Sequence, residues 1–197
     1  AETWVMCQFS YTAGMKHAWD PANLDIRAFA RAGAELNGQT PLSAMARLSG
    51  EQPAGDGALA DAPVSWSLRG ETRDVRGGAH QIWLHVQAQA RTALVCQRCL
   101  SPMVEALSVD RPFRFVADEA TAMAEDDEAE EDLLVLGPAL DALALIEDEL
   151  LMALPLVPRH PACPQPLSGS EGLAEPPPEV ARPNPFAVLS GLKRDKS

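Results

Sequence analysis

Two short motifs contain residues of the types that hold metal ions. Cys96 and Cys99 form a CxxC motif, and His160 and Cys163 form an HxxC motif later in the chain. A CxxC turn directs two thiolates at one point, and three sulfur ligands with one nitrogen suit a tetrahedral zinc ion. The two motifs therefore predict a structural zinc site. Closure of the long loop between them by a metal would stabilise the fold.

Three other interpretations of the CxxC motif remain open. A thioredoxin-type redox pair lies at the start of a helix near a βαβ pattern, whereas Cys96 and Cys99 lie between two strand-like segments. A structural disulfide is typical of secreted proteins, but the first residues lack the cationic and apolar pattern of a signal peptide. Reduced, metal-free thiols at a tight turn are the third interpretation. Cys7 is expected to be an unrelated thiol.

Charge is distributed unevenly along the chain. The net charge is −12, which is unfavourable for a protein that covers nucleic-acid phosphates with its whole surface. Residues 118–132 hold nine acidic and no basic residues, whereas residues 69–114 hold seven arginines and four acids. The first segment is predicted to be a mobile acidic loop, because like charges repel. The second is a candidate RNA-binding surface, unless its arginines are ordinary solvated residues.

Hydrophobic periodicity predicts an α+β fold. An N-terminal and a C-terminal helix are expected to pack on an antiparallel β-sheet or partly closed barrel. Residues 21–37 are predicted to form the first helix, which ends at Asn37-Gly38. Residues 42–48 allow one short helical turn. Residues 139–154 carry leucines at helical spacing before Pro155, which predicts the last helix.

Period-two alternation of apolar and polar residues predicts the strands. It runs through residues 64–69, 82–91 and 107–115, where Pro112 indicates an edge strand or a bulge. No apolar run is long enough to span a membrane. We expect a single domain over residues 1–163 and a proline-rich tail over residues 164–197.

Three consecutive acids, Glu147, Asp148 and Glu149, lie on the last predicted helix. Consecutive helix residues spread over about 200° of the helical wheel, so these carboxylates cannot converge on one metal ion. They are expected to face outward, as a surface for a basic partner. A metal-dependent RNA-processing enzyme that uses Glu147 and Asp148 is an alternative. The sequence contains no P-loop, GxGxxG motif or nucleophile elbow.

Four segments, taken in order, resemble the YceD family, which is called the large ribosomal RNA subunit accumulation protein. They are residues 96–100, residues 146–155, residues 158–160 with Cys163, and residues 183–189 with Leu192-Lys193. The resemblance runs from about residue 22 to residue 194. Residues 120–132 and 166–180 match loosely.

The resemblance implies a cytoplasmic bacterial protein, without enzyme activity, that supports synthesis, processing or stability of large-subunit ribosomal RNA. Its partners would be that RNA, a pre-ribosomal particle or a basic ribosomal protein, with no membrane and no small-molecule substrate. Either the arginine-bearing sheet contacts RNA directly, or the acidic surface holds a basic protein. The candidate binding residues are Arg98, Glu147, Asp148, Glu149, Asn184, Pro185 and Phe186. The last three have the form of a short linear motif with an aromatic anchor.

Overall fold

The computed structural model of this 197-residue chain describes residues 19–53, 59–75, 77–78 and 80–164. Its described part contains one five-stranded sheet with strand order β1-β2-β3-β4-β5. The strands are β1 (Glu35–Pro41), β2 (Pro63–Arg73), β3 (Gln81–Val95), β4 (Pro102–Val116) and β5 (Asp132–Val135). The helices are α1 (Ile26–Arg31), α2 (Ala46–Gly50), α3 (Glu119–Glu125) and α4 (Ala142–Met152), with a 3-10 turn at Leu42–Ala44 before α2.

The sheet is mixed and open. Strands β1 to β4 pair antiparallel with their sequence neighbours, as the alternation predicts. Strand β5 pairs parallel to residues Phe113–Val116 of β4, so the expectation of a purely antiparallel sheet is wrong at this edge. A four-residue strand is too short to show a period in the sequence. Among the described residues β1 and β5 do not pair, and the sheet does not close into a barrel.

The two faces of the sheet differ in polarity. One face carries buried apolar residues of β2, β3 and β4, including Leu68, Val86 and Phe113, and packs against α1 and α4. Phe29 of α1 and Ile146 of α4 are among the fully buried residues of this core. The opposite face of β2 and β3 carries serine and glutamine side chains, which pair across the strands as Ser65 with Gln89 and Ser67 with Gln87. The α+β class is therefore confirmed, and its core lies between the helices and one side of the sheet.

Helix α1 is shorter than the sequence predicts. The Asp25 carboxylate caps its start by accepting from the Ala28 N–H at 3.0 Å. Gly33, with a φ of +55°, terminates the helix in the left-handed conformation that glycine tolerates. Residues 35–41 are then strand β1, not the end of a helix. Gly38 packs against the Trp66 ring, since a Cβ there would lie 2.6 Å from that ring.

The acidic run at residues 118–132 contains helix α3, where the sequence predicts a loop. Asp118 caps the helix by accepting from the Thr121 N–H at 2.8 Å. Arg114 of β4, which is buried, donates to Glu125 at 2.6 Å and to Glu131. Local charge repulsion is therefore reduced by a cation from another element. Sequence spacing alone does not show that such a cation reaches these acids.

The described residues up to Pro161 belong to one compact unit, and residues 162–164 belong to a second. Asn184, Pro185 and Phe186 lie outside the described residues, so the expected linear motif stays a prediction. None of the helices in the described ranges is both long and apolar enough to cross a bilayer.

Candidate metal centre

The turn between β3 and β4 places the CxxC motif at the tip of a long hairpin. The Cys96 N–H donates to the Ser101 carbonyl at 3.0 Å, and the Leu100 N–H donates to the Cys96 carbonyl at 2.9 Å. Leu100 takes a φ of 57°, which is uncommon for a residue with a branched side chain. This backbone folds the turn tightly enough to bring Cys99 back toward Cys96.

The segment that follows α4 is fixed against this turn by hydrogen bonds to its backbone. The Gln97 N–H donates to the Pro158 carbonyl at 2.8 Å. The Arg98 guanidinium donates to the His160 carbonyl at 3.4 Å. These bonds join residues about sixty positions apart in sequence and hold His160 beside the CxxC turn. The candidate binding residue Arg98 therefore also has a structural contact.

Cys96, Cys99, His160 and Cys163 offer ligand atoms that all lie within 4.8 Å of one another. His160 Nδ1 lies 3.5 Å from Cys99 Sγ, and the His160 backbone N–H donates to Cys96 Sγ at 3.5 Å. Tetrahedral zinc, with bonds of about 2.0–2.3 Å, separates its ligand atoms by roughly 3.5–3.8 Å. Three sulfurs and one imidazole nitrogen at this spacing fit a zinc ion with small adjustments. The residues that the CxxC and HxxC motifs predict together can hold a metal.

The electrostatics of the turn favour a thiolate at Cys96. Burial of this residue opposes ionisation, but N–H groups of Cys99, His160 and Arg98 and the His160 side chain donate to its sulfur. Together they lower the pKa of the Cys96 thiol to about 5. The thiolate is the form that coordinates metal. The nearby sulfur of Cys96 in turn raises the pKa of His160, an effect that Cys99 reinforces.

The position of the turn bears on the alternative interpretations of the CxxC motif. Cys96 and Cys99 lie between two strands, as the sequence predicts, and not at a helix start as in thioredoxin-type pairs. None of the three cysteines in the described ranges, Cys96, Cys99 and Cys163, is part of a disulfide. Metal binding and reduced, metal-free thiols are the two interpretations that agree with this arrangement.

The turn, α4 and the segment after it fall within a region shared with known proteins. The sequence model of the family described as large ribosomal RNA subunit accumulation protein YceD matches residues 84–193, more than half of the chain. The chain belongs to the YceD family. The protein named large ribosomal RNA subunit accumulation protein YceD in Haemophilus influenzae is 37% identical over 112 residues, 55% of this chain and 63% of that protein. The chain thus matches less than two thirds of this YceD relative, and no solved structure matches significantly.

Most of the seven arginines between residues 69 and 114 are held by neighbouring groups in this YceD family member. Arg73 pairs with Glu71 and stacks on Trp83, with 3.9 Å between the guanidinium carbon and the ring centroid. Arg111 pairs with Asp132, and Arg114 with two acids of the α3 region. Arg76 is not described. Arg69 and Arg91 are exposed and form no ion pair with any residue in the described ranges.

The expectation that the three acids of α4 all face outward is wrong. Glu147 and Glu149 are buried, with 9% and 6% of their surface exposed, and Asp148 alone is exposed. The Asp148 carboxylate pairs with Arg47. Because α4 packs between α2 and the sheet, two of its three acids point into protein, which the helical wheel does not reveal.

Glu147 caps α2 from a distant part of the sequence. Its Oε1 atom accepts from the backbone N–H groups of Arg47 at 2.7 Å and Leu48 at 3.1 Å, in the first turn of α2. Its Oε2 atom accepts from the Arg47 guanidinium at 3.0 Å. Met45, the local N-cap residue, makes no side-chain cap. The sequence shows no sign of this contact, because the partners are about a hundred residues apart.

Glu149 is a buried carboxyl in a less favourable setting. Its Oε2 atom lies 4.0 Å from Arg111 Nε, and Arg111 is shared with Asp132. Burial raises the pKa of Glu149, and the Asp132 and Asp148 carboxylates add to the increase, while Arg111 opposes it. The pKa of Glu149 is thus higher in the folded than in the unfolded state. The protonated carboxyl contributes its full stability below about pH 4.5, the ordinary pKa, and this contribution is lost as the pH rises through the folded-state pKa.

The variant Glu149→Gln is therefore expected to be more stable than the natural chain at neutral pH, by about 1 kcal/mol. Glutamine keeps the shape of the protonated carboxyl and removes the buried charge, while Arg111 retains Asp132. Urea denaturation of both proteins across the acidic range measures this. The difference should vanish below the ordinary carboxyl pKa. A less stable variant at neutral pH would mean that attraction to Arg111 outweighs burial.

Proposed function

We propose that this protein is a non-enzymatic ribosome-biogenesis factor of the bacterial cytoplasm, which supports the synthesis, processing or stability of large-subunit ribosomal RNA. The observation that carries the proposal is that the chain belongs to the family described as large ribosomal RNA subunit accumulation protein YceD. A relative 37% identical over the shared region bears the same name. The shared region, residues 84–193, includes the metal-ligand cluster and α4.

The metal we assign to the cluster is zinc, in a structural role. Three thiolates and one imidazole saturate a tetrahedral ion, which leaves no open position for a substrate or water. The ligands would be Cys96, Cys99, His160 and Cys163. When bound, zinc supplies a crosslink between the hairpin tip and the segment after α4. A fully coordinated site of this kind supports an assembly factor better than a catalyst.

The environment of the α4 acids also supports a non-enzymatic role. A metal-dependent nuclease needs carboxylates that converge on an ion. Glu147 is directed at two backbone N–H groups and Arg47, whereas Asp148 meets Arg47 from the exposed side. Glu149 faces Arg111 on a different element. Glu147 and Asp148 thus share Arg47 but reach it from different sides, and Glu149 faces another element, so the three carboxylates do not converge on one point.

Two modes of action follow from the charge distribution. In the first, exposed arginines of the sheet, such as Arg69 and Arg91, contact ribosomal RNA. In the second, exposed acids around α3, such as Asp126, Asp127 and Glu130, hold a basic ribosomal protein during assembly. The net charge of −12 favours the second mode for the chain as a whole. The first mode is favoured by the local charge at the metal end of the sheet.

Depletion of the protein from bacterial cells tests the proposed function. We expect a sucrose-gradient profile with fewer large subunits and an excess of free small subunits, together with a selective fall in large-subunit RNA. Re-expression of the natural chain should restore the profile, which controls for indirect effects on growth. An unchanged ratio of the two ribosomal RNAs after depletion would contradict the proposal.

A further inference from the structure

The sequence segments that carry the metal ligands contain no acidic residues. Residues 75–104 and 150–170 contain no aspartate or glutamate, although the chain has 28 of them. Three arginines in these segments, Arg91, Arg98 and Arg159, are exposed. Arg91 and Arg159 form no ion pair with any residue that the structure describes. The protein is therefore strongly acidic overall, with a cationic end at the hairpin tip.

A shallow trough leads from this cationic end along the polar face of the sheet. It consists of three adjoining depressions with volumes of about 660, 390 and 340 Å³. The first lies between β4 and residues 159–161 and shares Ala106 with the second. The second and third share Ser65, Gln89 and Ser108. Because strand residues rise about 3.3 Å each, the trough follows β4 for about 26 Å from Pro102 to Asp110.

The lining of the trough provides hydrogen-bonding groups and positive charge. Its floor carries amide and hydroxyl side chains, among them Gln87, Gln89 and Ser108, and the Asp110 carboxylate lies at the end far from the metal centre. Arg159 lines the depression beside the metal centre, and Arg91 lines the middle depression. Glu105 borders the first depression, but strand alternation directs its side chain to the opposite face from Val104 and Ala106. The charge in the half of the trough nearest the metal centre is therefore complementary to an anion.

We propose that this trough binds a single-stranded segment of RNA, with Arg91 and Arg159 on its phosphates and the glutamine and serine side chains on its bases. The inference rests on the proposed function and adds the site and the form of RNA. Amide and hydroxyl groups that donate and accept can pair with base edges, which single strands expose and A-form duplexes hide. Gln87 bonds Ser67 and Asp110 within the floor, whereas the Gln89 and Ser108 side chains form no hydrogen bond with any residue in the described ranges. These two side chains can pair with the bases of an extended polyanion, and an apolar peptide would leave them without partners.

Binding of a short, fluorescently labelled single-stranded RNA of mixed sequence to the full, zinc-loaded chain tests the proposal. The double variant Arg91→Gln with Arg159→Gln is expected to bind about tenfold more weakly, with a salt-dependence slope smaller by about 1.4, since each single-strand phosphate contact contributes about 0.7. The matched control is Arg27→Gln with Arg31→Gln on α1, two exposed arginines on the helical side of the sheet. This control changes the net charge equally and should bind like the natural chain.

Other probes separate the alternatives. Tighter binding of the same sequence as a duplex, or equal losses in both double variants, would overturn the proposal in favour of non-specific attraction. Preference for an acidic peptide over the RNA would also overturn it. If the natural chain binds no single-stranded RNA but its depletion still lowers large-subunit RNA, the trough proposal fails and the proposed function stands. If the trough binds RNA while depletion has no effect, the proposed function fails alone.

Discussion

The variant Cys96→Ser is expected to lose the metal and to unfold at a Tm about 10 °C below that of the natural chain, because the proposed zinc ion would close a loop of 61 residues between Cys99 and His160. A serine hydroxyl is a far weaker zinc ligand than a thiolate, and Cys96 is the fully buried ligand of the set. Elemental analysis should find about one zinc per natural chain and little in the variant. Calorimetry with and without a chelator gives the corresponding Tm values.

The matched control is Cys7→Ser, the same substitution at the fourth cysteine, which lies outside the described residues and is expected to be unrelated to the cluster. It should retain the metal and the Tm. A chelator should lower the Tm of the natural chain and of this control, and should leave Cys96→Ser unchanged. Natural protein purified without chelator that contains well under one zinc per chain would instead support reduced, metal-free thiols.

The variant Glu147→Gln is expected to lose about 2 kcal/mol of folding stability at neutral pH. Glutamine retains one acceptor oxygen but loses the charge that strengthens the bonds to the Arg47 and Leu48 N–H groups and to the Arg47 guanidinium. This loss of stability is smaller than for a fully buried ion pair, because half of the Arg47 side chain is exposed and water solvates its charge. Urea denaturation measures the loss.

The pH dependence of this loss identifies its cause. Burial opposes ionisation of Glu147, but the N–H groups of Leu48 and Arg47 and the Arg47 guanidinium outweigh it and lower the pKa of the carboxyl. A lowered folded-state pKa contributes stability above the ordinary carboxyl pKa of 4.5, and this contribution disappears as the pH falls through the lowered value. The gap between Glu147→Gln and the natural chain should therefore close in acid.

Asp148→Asn is the matched control for Glu147→Gln. Asp148 pairs with the same arginine from the adjacent position of α4, but about half of its side chain is exposed. Exposed ion pairs contribute little to stability, so this variant should denature almost like the natural chain. Equal losses in the two variants would mean that charge near Arg47, and not the capping of α2, stabilises this contact.

The parts of the fold that follow from local patterns were predictable from sequence. Alternation in residues 82–91 and 107–115 identified β3 and β4, and leucine spacing before Pro155 identified α4. The CxxC motif predicted a tight turn at residues 96–99, because two metal ligands can face the same point only if the chain turns between them. In these segments, one residue's environment depends mainly on neighbours within a few positions.

The features that the sequence does not predict depend on contacts between distant residues. Gly33 and Asn37-Gly38 are both acceptable helix ends, and the choice of Gly33 follows from the pairing of Leu36 with Leu68 of β2. The acidic run can form α3 beside Arg114, which lies on another element. In the sequence, Glu147 and Glu149 have the pattern of surface acids. They are buried because α2 contacts Glu147 and Arg111 of β4 lies beside Glu149. Each of these outcomes depends on a partner that no local pattern identifies.

The separation of the metal ligands along the chain has a consequence for biosynthesis. The CxxC turn closes a hairpin of sequence neighbours, and such local pairing forms early in folding. His160 follows only after β5 and α4 have been added. During translation the hairpin can thus be complete while its ligand set is not. Stable retention of the metal would then coincide with docking of α4, so that an occupied metal centre would mark a chain that has folded as far as Cys163.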